Sequence, residues 1–304
     1  MNKQTVTNLS KLPNIWTKHT IKPKAFSEFD LHSDNRGFLN PKFEGIDSGT
    51  LGTAIDLGAR YLILNDDCAF DNAKIGAFNY DLNSNINQAY LKQWYIEIGD
   101  TKTANELSKP LDNAAFHFNL NKSVLENARK IPLKNLERFQ CEPLITMAFF
   151  ESCFRSRQAL DYDIPFRLDR MSFSRIRTML QRCANFFRKY GAPTHTDYTV
   201  TANNVFGDGD YLSENYVADF KTYKRSPLDK PYNRRQILLY YAIGKYEQKY
   251  PEFQTIRQLI FFNPRTDKVY SINVDDISPD LINYYIEIAN NPILDEMKNQ
   301  QTYS

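Results

Sequence analysis

Between Ser172 and Tyr190 the apolar residues Phe173, Ile176, Met179, Leu180, Cys183 and Phe187 recur at intervals of three and four, which is the spacing of one helical face. Ser172 is the expected cap, and Gly191-Ala192-Pro193 stops the helix. The period then drops to two. TDYTVTANNVF, GDYL and YVADFKTY are rich in Val, Thr, Tyr and Phe and read as strands. Helical spacing returns from Arg234 to Tyr250 and ends at Pro251. TIRQLIFFN and KVYSINV are two more strands, joined by the turn Pro264-Arg265-Thr266-Asp267, and Ser278 opens a last helix, PDLINYYIEIAN. From residue 172 the order is helix, three strands, helix, two strands.

The preceding half reads differently. Residues 1–48 show weak periodicity and are expected to form an irregular arm. A helix should start near Ser48-Gly49-Thr50, whose hydroxyls can cap it, and run through LGTAIDLGARYLI. Helices are also expected over 85–98 and in two segments between Ser123 and Arg157, where LITMAFFESCF is apolar nearly all round and so belongs in a core. The expected organisation is a mainly helical part over 1–165 packed on an α/β core over 166–304, with a mixed central sheet flanked by helices.

Charge narrows the function classes little, since the net value is only +2. Its distribution says more. Arg167, Arg170, Arg175, Arg177, Arg182, Arg188 and Lys189 crowd one segment against Asp169 alone, whereas Asp275, Asp276, Asp280, Glu287, Asp295 and Glu296 face only Lys298 near the end. Arg175, Arg177, Arg182 and Arg188 are therefore candidates for phosphate contacts, beside the plainer reading of a solvated helix face. The cysteines Cys68, Cys141, Cys153 and Cys183 have no C-x-x-C spacing and are expected to be reduced. The four histidines lack zinc-site spacing, and neither a Walker loop nor a G-x-S-x-G elbow occurs. The N-terminal residues contain no apolar signal core and no apolar run is long enough to span a bilayer, so a cytoplasmic protein without membrane spans is expected.

The chemistry concentrates in GDGDYLSENYVADFKTYK and the RRQILLYYAIG that follows. If Glu214-Asn215 is a two-residue hairpin turn, Asp210 stands opposite Asp219. Two carboxylates so placed repel unless a cation lies between them, and hard oxygens suit a divalent metal. Lys221, two residues beyond Asp219, leaves the same face of the strand. The carbonyl of Phe220 is a further oxygen ligand within reach. Gln236 and Tyr240 share one face of the next helix and are placed to meet Lys221 or a phosphate. The plain alternatives are a simple Gly-Asp turn at 207–210, an edge-strand lysine at 221 and core aromatics at 240 and 241.

G-x-x-D, a strand carrying D-x-K, and Q-x-x-x-Y on a helix resemble the RecB-like branch of the PD-(D/E)XK nucleases, through Gly207, Asp210, Asp219, Lys221, Gln236 and Tyr240. The resemblance covers about 172–275. It implies a restriction-endonuclease-like core that hydrolyses DNA with Mg²⁺ or Mn²⁺ in repair, recombination or defence, with RNA left open as a substrate. That branch often carries a metal-binding His in a G-x-x-x-H segment. Here Gly52-Thr53-Ala54-Ile55-Asp56 puts Asp56 in its place. Some members hold an iron–sulfur cluster, but no cysteine follows Cys183, so none is expected. The rival readings are a catalytically weak nuclease fold that holds nucleic acid for a larger complex, and a protein-interaction module on the same scaffold.

Overall fold

The structure is a computed structural model that describes residues 3–12, 15–16, 19–42, 44–81, 93, 96, 114–156 and 167–291. Contacts divide the chain into two compact units, Met1–Asn40 with Asn185–Ser304, and Pro41–Ala184. The helix expected over 85–98 lies outside the described residues save for two isolated positions.

The first unit is α/β, built on a mixed, open sheet of seven strands. These are β1 (Gln4–Thr5), β2 (Ser27–Asp30), β3 (His195–Thr201), β4 (Val205–Leu212), β5 (Tyr216–Phe220), β6 (Gln258–Asn263) and β7 (Lys268–Asn273). The order is β1-β4-β5-β6-β7-β2, with β3 against β4. β1–β4 and β5–β6 pair in parallel, and the remaining neighbours are antiparallel. The segment expected to be an irregular arm over 1–48 thus holds regular elements at 4–11 and 23–30, while 31–40 carry no helix or strand. β1 and β2 join the sheet through backbone hydrogen bonds, which any side-chain sequence can make, and so carry no apolar alternation to read.

In the second unit α2 (Ser48–Gly58) is capped by Asp47, which accepts from the amides of Gly49 and Thr50 at 2.9 Å each, rather than by the hydroxyls after it. It continues as a π-turn over Ala59–Ile63, and α3 covers 71–81. α4 (Ala114–Ala128) and α5 (Arg138–Ser156) follow, the latter buried along LITMAFFESCF as its all-round apolar character predicts. α6 (Arg170–Tyr190) begins two residues before the expected cap because Asp169 takes that role, accepting from the amides of Met171 and Ser172. The unit boundary falls inside α6.

Two layers of side chains sandwich the sheet of the first unit. α1 (Val6–Lys11), α7 (Pro231–Glu247) and α8 (Pro279–Asn290) share a core with Val200, Val205, Val217 and Leu259. α7 starts with Pro231 in its first turn, where a missing amide proton costs nothing, and ends at Gln248 in the left-handed region. On the other face Phe186 and Phe187, at the end of α6, pack on Tyr211, Tyr216, Phe220 and Phe262. Each fully buried phenylalanine of this kind contributes about 1.5–3 kcal/mol. Cys141, Cys153 and Cys183 are buried, Cys68 is exposed, and none of the four is in a disulfide. Among the described residues no helix is long and apolar enough to cross a membrane.

Candidate metal centre

The hairpin between β4 and β5 turns at Glu214-Asn215, with the Ser213 amide donating to the Tyr216 carbonyl at 2.9 Å. Tyr211 pairs with Ala218 and Leu212 with Val217, the register that puts Asp210 next in line with Asp219. Pairing stops there. One edge of β4 is covered by β3 from Phe206 to Leu212. On the other edge β1 takes Val205 and Phe206 while β5 takes Tyr211 and Leu212. Between them Gly207-Asp208-Gly209-Asp210 faces an opening in the sheet. These four residues are strand, not turn, since β4 runs through them.

Both carboxylates belong to that opening. Asp210 Oδ2 accepts the Phe220 amide proton at 2.9 Å. Asp219 is only 2% exposed, and its Oδ1 lies 2.6 Å from Lys221 Nζ. That contact is a buried ion pair, and the Asp210 carboxylate adjoins it. Burial pushes the Asp219 carboxyl up, Lys221 pulls it down and Asp210 pushes it up again, with the balance at about 7. For Lys221, burial favours the neutral amine, but Asp219 and Asp210 together outweigh it and hold the group above its ordinary value. Lys221 is therefore an ammonium throughout the neutral range, while Asp219 exchanges its proton there.

The α7 side of the opening is aromatic. Tyr240 is buried beside Asp219, and burial foremost raises its phenol. Gln236 Nε2 donates to the hydroxyls of Tyr240 and Thr7, each at 3.1 Å. Gln236 thus holds Tyr240 rather than Lys221, which differs from the contact expected for it. The glycines of β4 make room for these rings. A Cβ on Gly207 would lie 2.7 Å from Val6 Cγ2 and 3.0 Å from Tyr240 Cε1, and one on Gly209 would lie 2.3 Å from Tyr198 Cζ.

Tyr198 is the member of this cluster that sequence reasoning missed. It is buried, stands opposite Gly209 in the β3–β4 register, and its hydroxyl has no hydrogen-bond partner. Burial first, then the nearness of Tyr240, Asp210 and Asp219, which disfavours a further negative charge, raises its phenol well above the ordinary value. An aromatic residue facing a glycine across two strands is a recognisable pairing, but it needs the β3–β4 register to be seen.

The settings of the other candidates differ. The Phe220 side chain packs among Tyr211, Phe187 and Phe262, leaving only its backbone on the carboxylate side. Asp56 is half-buried on α2, in the second unit. Of the four arginines proposed for phosphate contacts, Arg182 is fully buried, Arg175 pairs with Glu44 at 3.3 Å, and Arg177 donates to the carbonyls of Lys134 and Leu136. Arg188 is the exposed one. Arg175 and Arg177 thus each commit one guanidinium nitrogen to an internal partner.

Two adjacent carboxylates are the kind of hard oxygen donors a divalent cation takes, because Mg²⁺ keeps several waters and needs one or two protein carboxylates. Among the described residues no group of three or more His, Cys, Asp or Glu side chains gathers at one point, so the donor set is this pair with backbone oxygen or water. No family model, curated protein or solved structure matches the chain.

Proposed function

We propose that the chain is a Mg²⁺- or Mn²⁺-dependent nuclease of the PD-(D/E)XK kind, hydrolysing DNA at the opening between β4 and β5. The observation that carries this reading is the buried Asp219 carboxylate, set beside Asp210 and 2.6 Å from Lys221 Nζ. Asp210 and Asp219 would hold a divalent cation, which would supply polarisation of the phosphate and acidification of a water. Asp210 is fixed for that purpose by the Phe220 amide. Lys221 keeps its proton and so acts as a donor, orienting the attacking water or neutralising charge that develops on the phosphate oxygens. Tyr240, locked by Gln236, closes the site on the α7 side.

Purified protein with Mn²⁺ and supercoiled or single-stranded DNA tests the proposal. Cleavage by wild type that disappears in Lys221→Ala supports it, and absence of cleavage with any divalent metal refutes it.

The burial of Asp219 and its pairing with Lys221 also favour a second reading, in which the ion pair is structural and the scaffold binds nucleic acid without cutting. DNA binding by wild type, with no metal supporting cleavage, is the result that selects it.

A further inference from the structure

A surface of the first unit away from the sequence of α6 combines exposed cations with aromatic rings. The chain leaving β5 passes from Lys221 through Tyr223, Lys224 and Arg225 to Lys230 and Tyr232, and Asp229 is the one acid between residues 220 and 240. Lys224, Arg225 and Lys230 are exposed, as is Lys11 at the end of α1. Tyr223 and Tyr232 are half-buried and share a hydrogen bond. Lys230 Nζ sits 4.2 Å from the centre of the Tyr223 ring and 5.7 Å from that of Tyr232, and Lys11 Nζ lies 5.8 Å from the Tyr232 ring.

This ledge is held in shape from beneath. Asn263 Nδ2 donates to the carbonyls of Tyr223, at 2.9 Å, and Arg225, at 3.4 Å. Arg265 Nε donates to the Thr222 carbonyl at 3.2 Å, and Asn233 Nδ2 to that of Pro227 at 2.7 Å. A loop so pinned presents its side chains without an ordering cost on binding. It also abuts the carboxylate centre, because the Tyr223 hydroxyl interacts electrostatically with both Lys221 and Asp219.

We infer that Tyr223 and Tyr232, with Lys11, Lys224, Arg225 and Lys230, form a binding ledge for single-stranded nucleic acid that leads a strand to the carboxylate pair. Ring faces that now carry ammonium groups suit unpaired bases, which stack on aromatic side chains without regard to sequence. The displaced lysines then meet phosphates. A duplex keeps its bases stacked inside and cannot use the rings, so the preference is for single strands. The inference rests on the nuclease reading for its purpose, while its binding measurement stands alone.

The test is fluorescence anisotropy of the full chain in EDTA, with labelled oligothymidylate of about 15 nucleotides and a duplex of equal length, a span within the site sizes such grooves use. The oligothymidylate is expected to bind more tightly than the duplex. Replacing both tyrosines by Leu (Tyr223→Leu with Tyr232→Leu) should weaken it about tenfold or more, whereas the Phe pair, which keeps the rings, should retain it. Removing Lys224, Arg225 and Lys230 together should reduce the slope of log K against log salt by about 2. A thermal melt of each variant separates loss of binding from loss of fold.

Duplex binding as tight as the single strand, or an unchanged affinity in the Leu pair, overturns the inference, as does no binding by wild type. If those results accompany Mn²⁺-dependent cleavage, the ledge alone falls. If binding follows the expected pattern and no metal supports cleavage, the nuclease reading falls and the ledge stands.

Discussion

The Asp210 carboxylate accepts the Phe220 amide proton at 2.9 Å, in the place where a regular antiparallel ladder would present the carbonyl of Gly209. A side chain thus ends the pairing of β4 with β5, and the same bond fixes one carboxylate beside the other. Asp210→Ala removes both effects, leaving the Phe220 amide without its acceptor. It should cost about 1–3 kcal/mol in urea unfolding, the price of an unsatisfied buried donor. Asp210→Asn, whose side-chain carbonyl can still accept that proton, should recover most of the loss without restoring metal-dependent cleavage. Equal stability of wild type and Asp210→Ala would show that the bond has no structural role.

Lys221→Ala removes the cation that pulls the Asp219 carboxyl down, so that group should stay protonated through neutral pH, and the loss of stability should grow above about pH 7, approaching about 3–5 kcal/mol for a broken buried pair. The loss should shrink at acid pH, where Asp219 takes up a proton. A pH-independent loss would mean that Asp219 is not the partner that matters.

The acid shift of Asp219 fixes a sign. Its carboxyl titrates at about 7 when folded, against an ordinary value of 3.8. Between those limits the folded protein binds the extra proton, so stability attributable to this group is present at low pH and falls as pH rises. Wild type should therefore lose stability relative to Asp219→Asn between about pH 4 and 7 and level off above. Mn²⁺ competes with that proton, and its stabilising effect should grow over the same interval. Opposite slopes in paired unfolding curves would contradict the assignment.

Tyr198→Phe removes a buried hydroxyl that has no hydrogen-bond partner. It should leave stability unchanged or raise it by about 1 kcal/mol, because an unmet polar group costs more than its absence. If the hydroxyl serves a ligand at the carboxylate pair, the same variant should cut more slowly. A loss of stability would show that the phenol is already bonded in the folded protein.

Gly209→Ala places a methyl group 2.3 Å from Tyr198 Cζ, so the ring must move. Overpacking of this kind costs about 1–3 kcal/mol, and combining it with Tyr198→Leu should relieve part of that cost. Strict additivity of the two changes in denaturant unfolding would argue against the contact.

The parts of this centre differ in how far the sequence exposes them. The hairpin register was legible because a two-residue turn at Glu214-Asn215 leaves one way to pair the flanking strands, and the structure pairs Tyr211 with Ala218 accordingly. The β6–β7 hairpin and the last two helices were legible from periodicity and their proline boundaries. Gly207 to Gly209 was ambiguous, since glycine beside aspartate marks turns as well as strands over which large rings pass. β1, only two residues long, and β2, with its exposed side chains, had no pattern to betray them. The differing burial of the α6 arginines was hidden for a related reason. Helical spacing assigns them to the side away from Phe173 and Met179, but it cannot show that Arg182 is buried there too. Tyr198 needed a long-range register that no local signal carries.

Crystals soaked in Mn²⁺ and measured for its anomalous scattering bear most directly on the metal centre. The expected result is one peak within bonding distance of both the Asp210 and Asp219 carboxylates, close to Lys221. Clear density for both side chains, with no peak between them at saturating Mn²⁺, would contradict it.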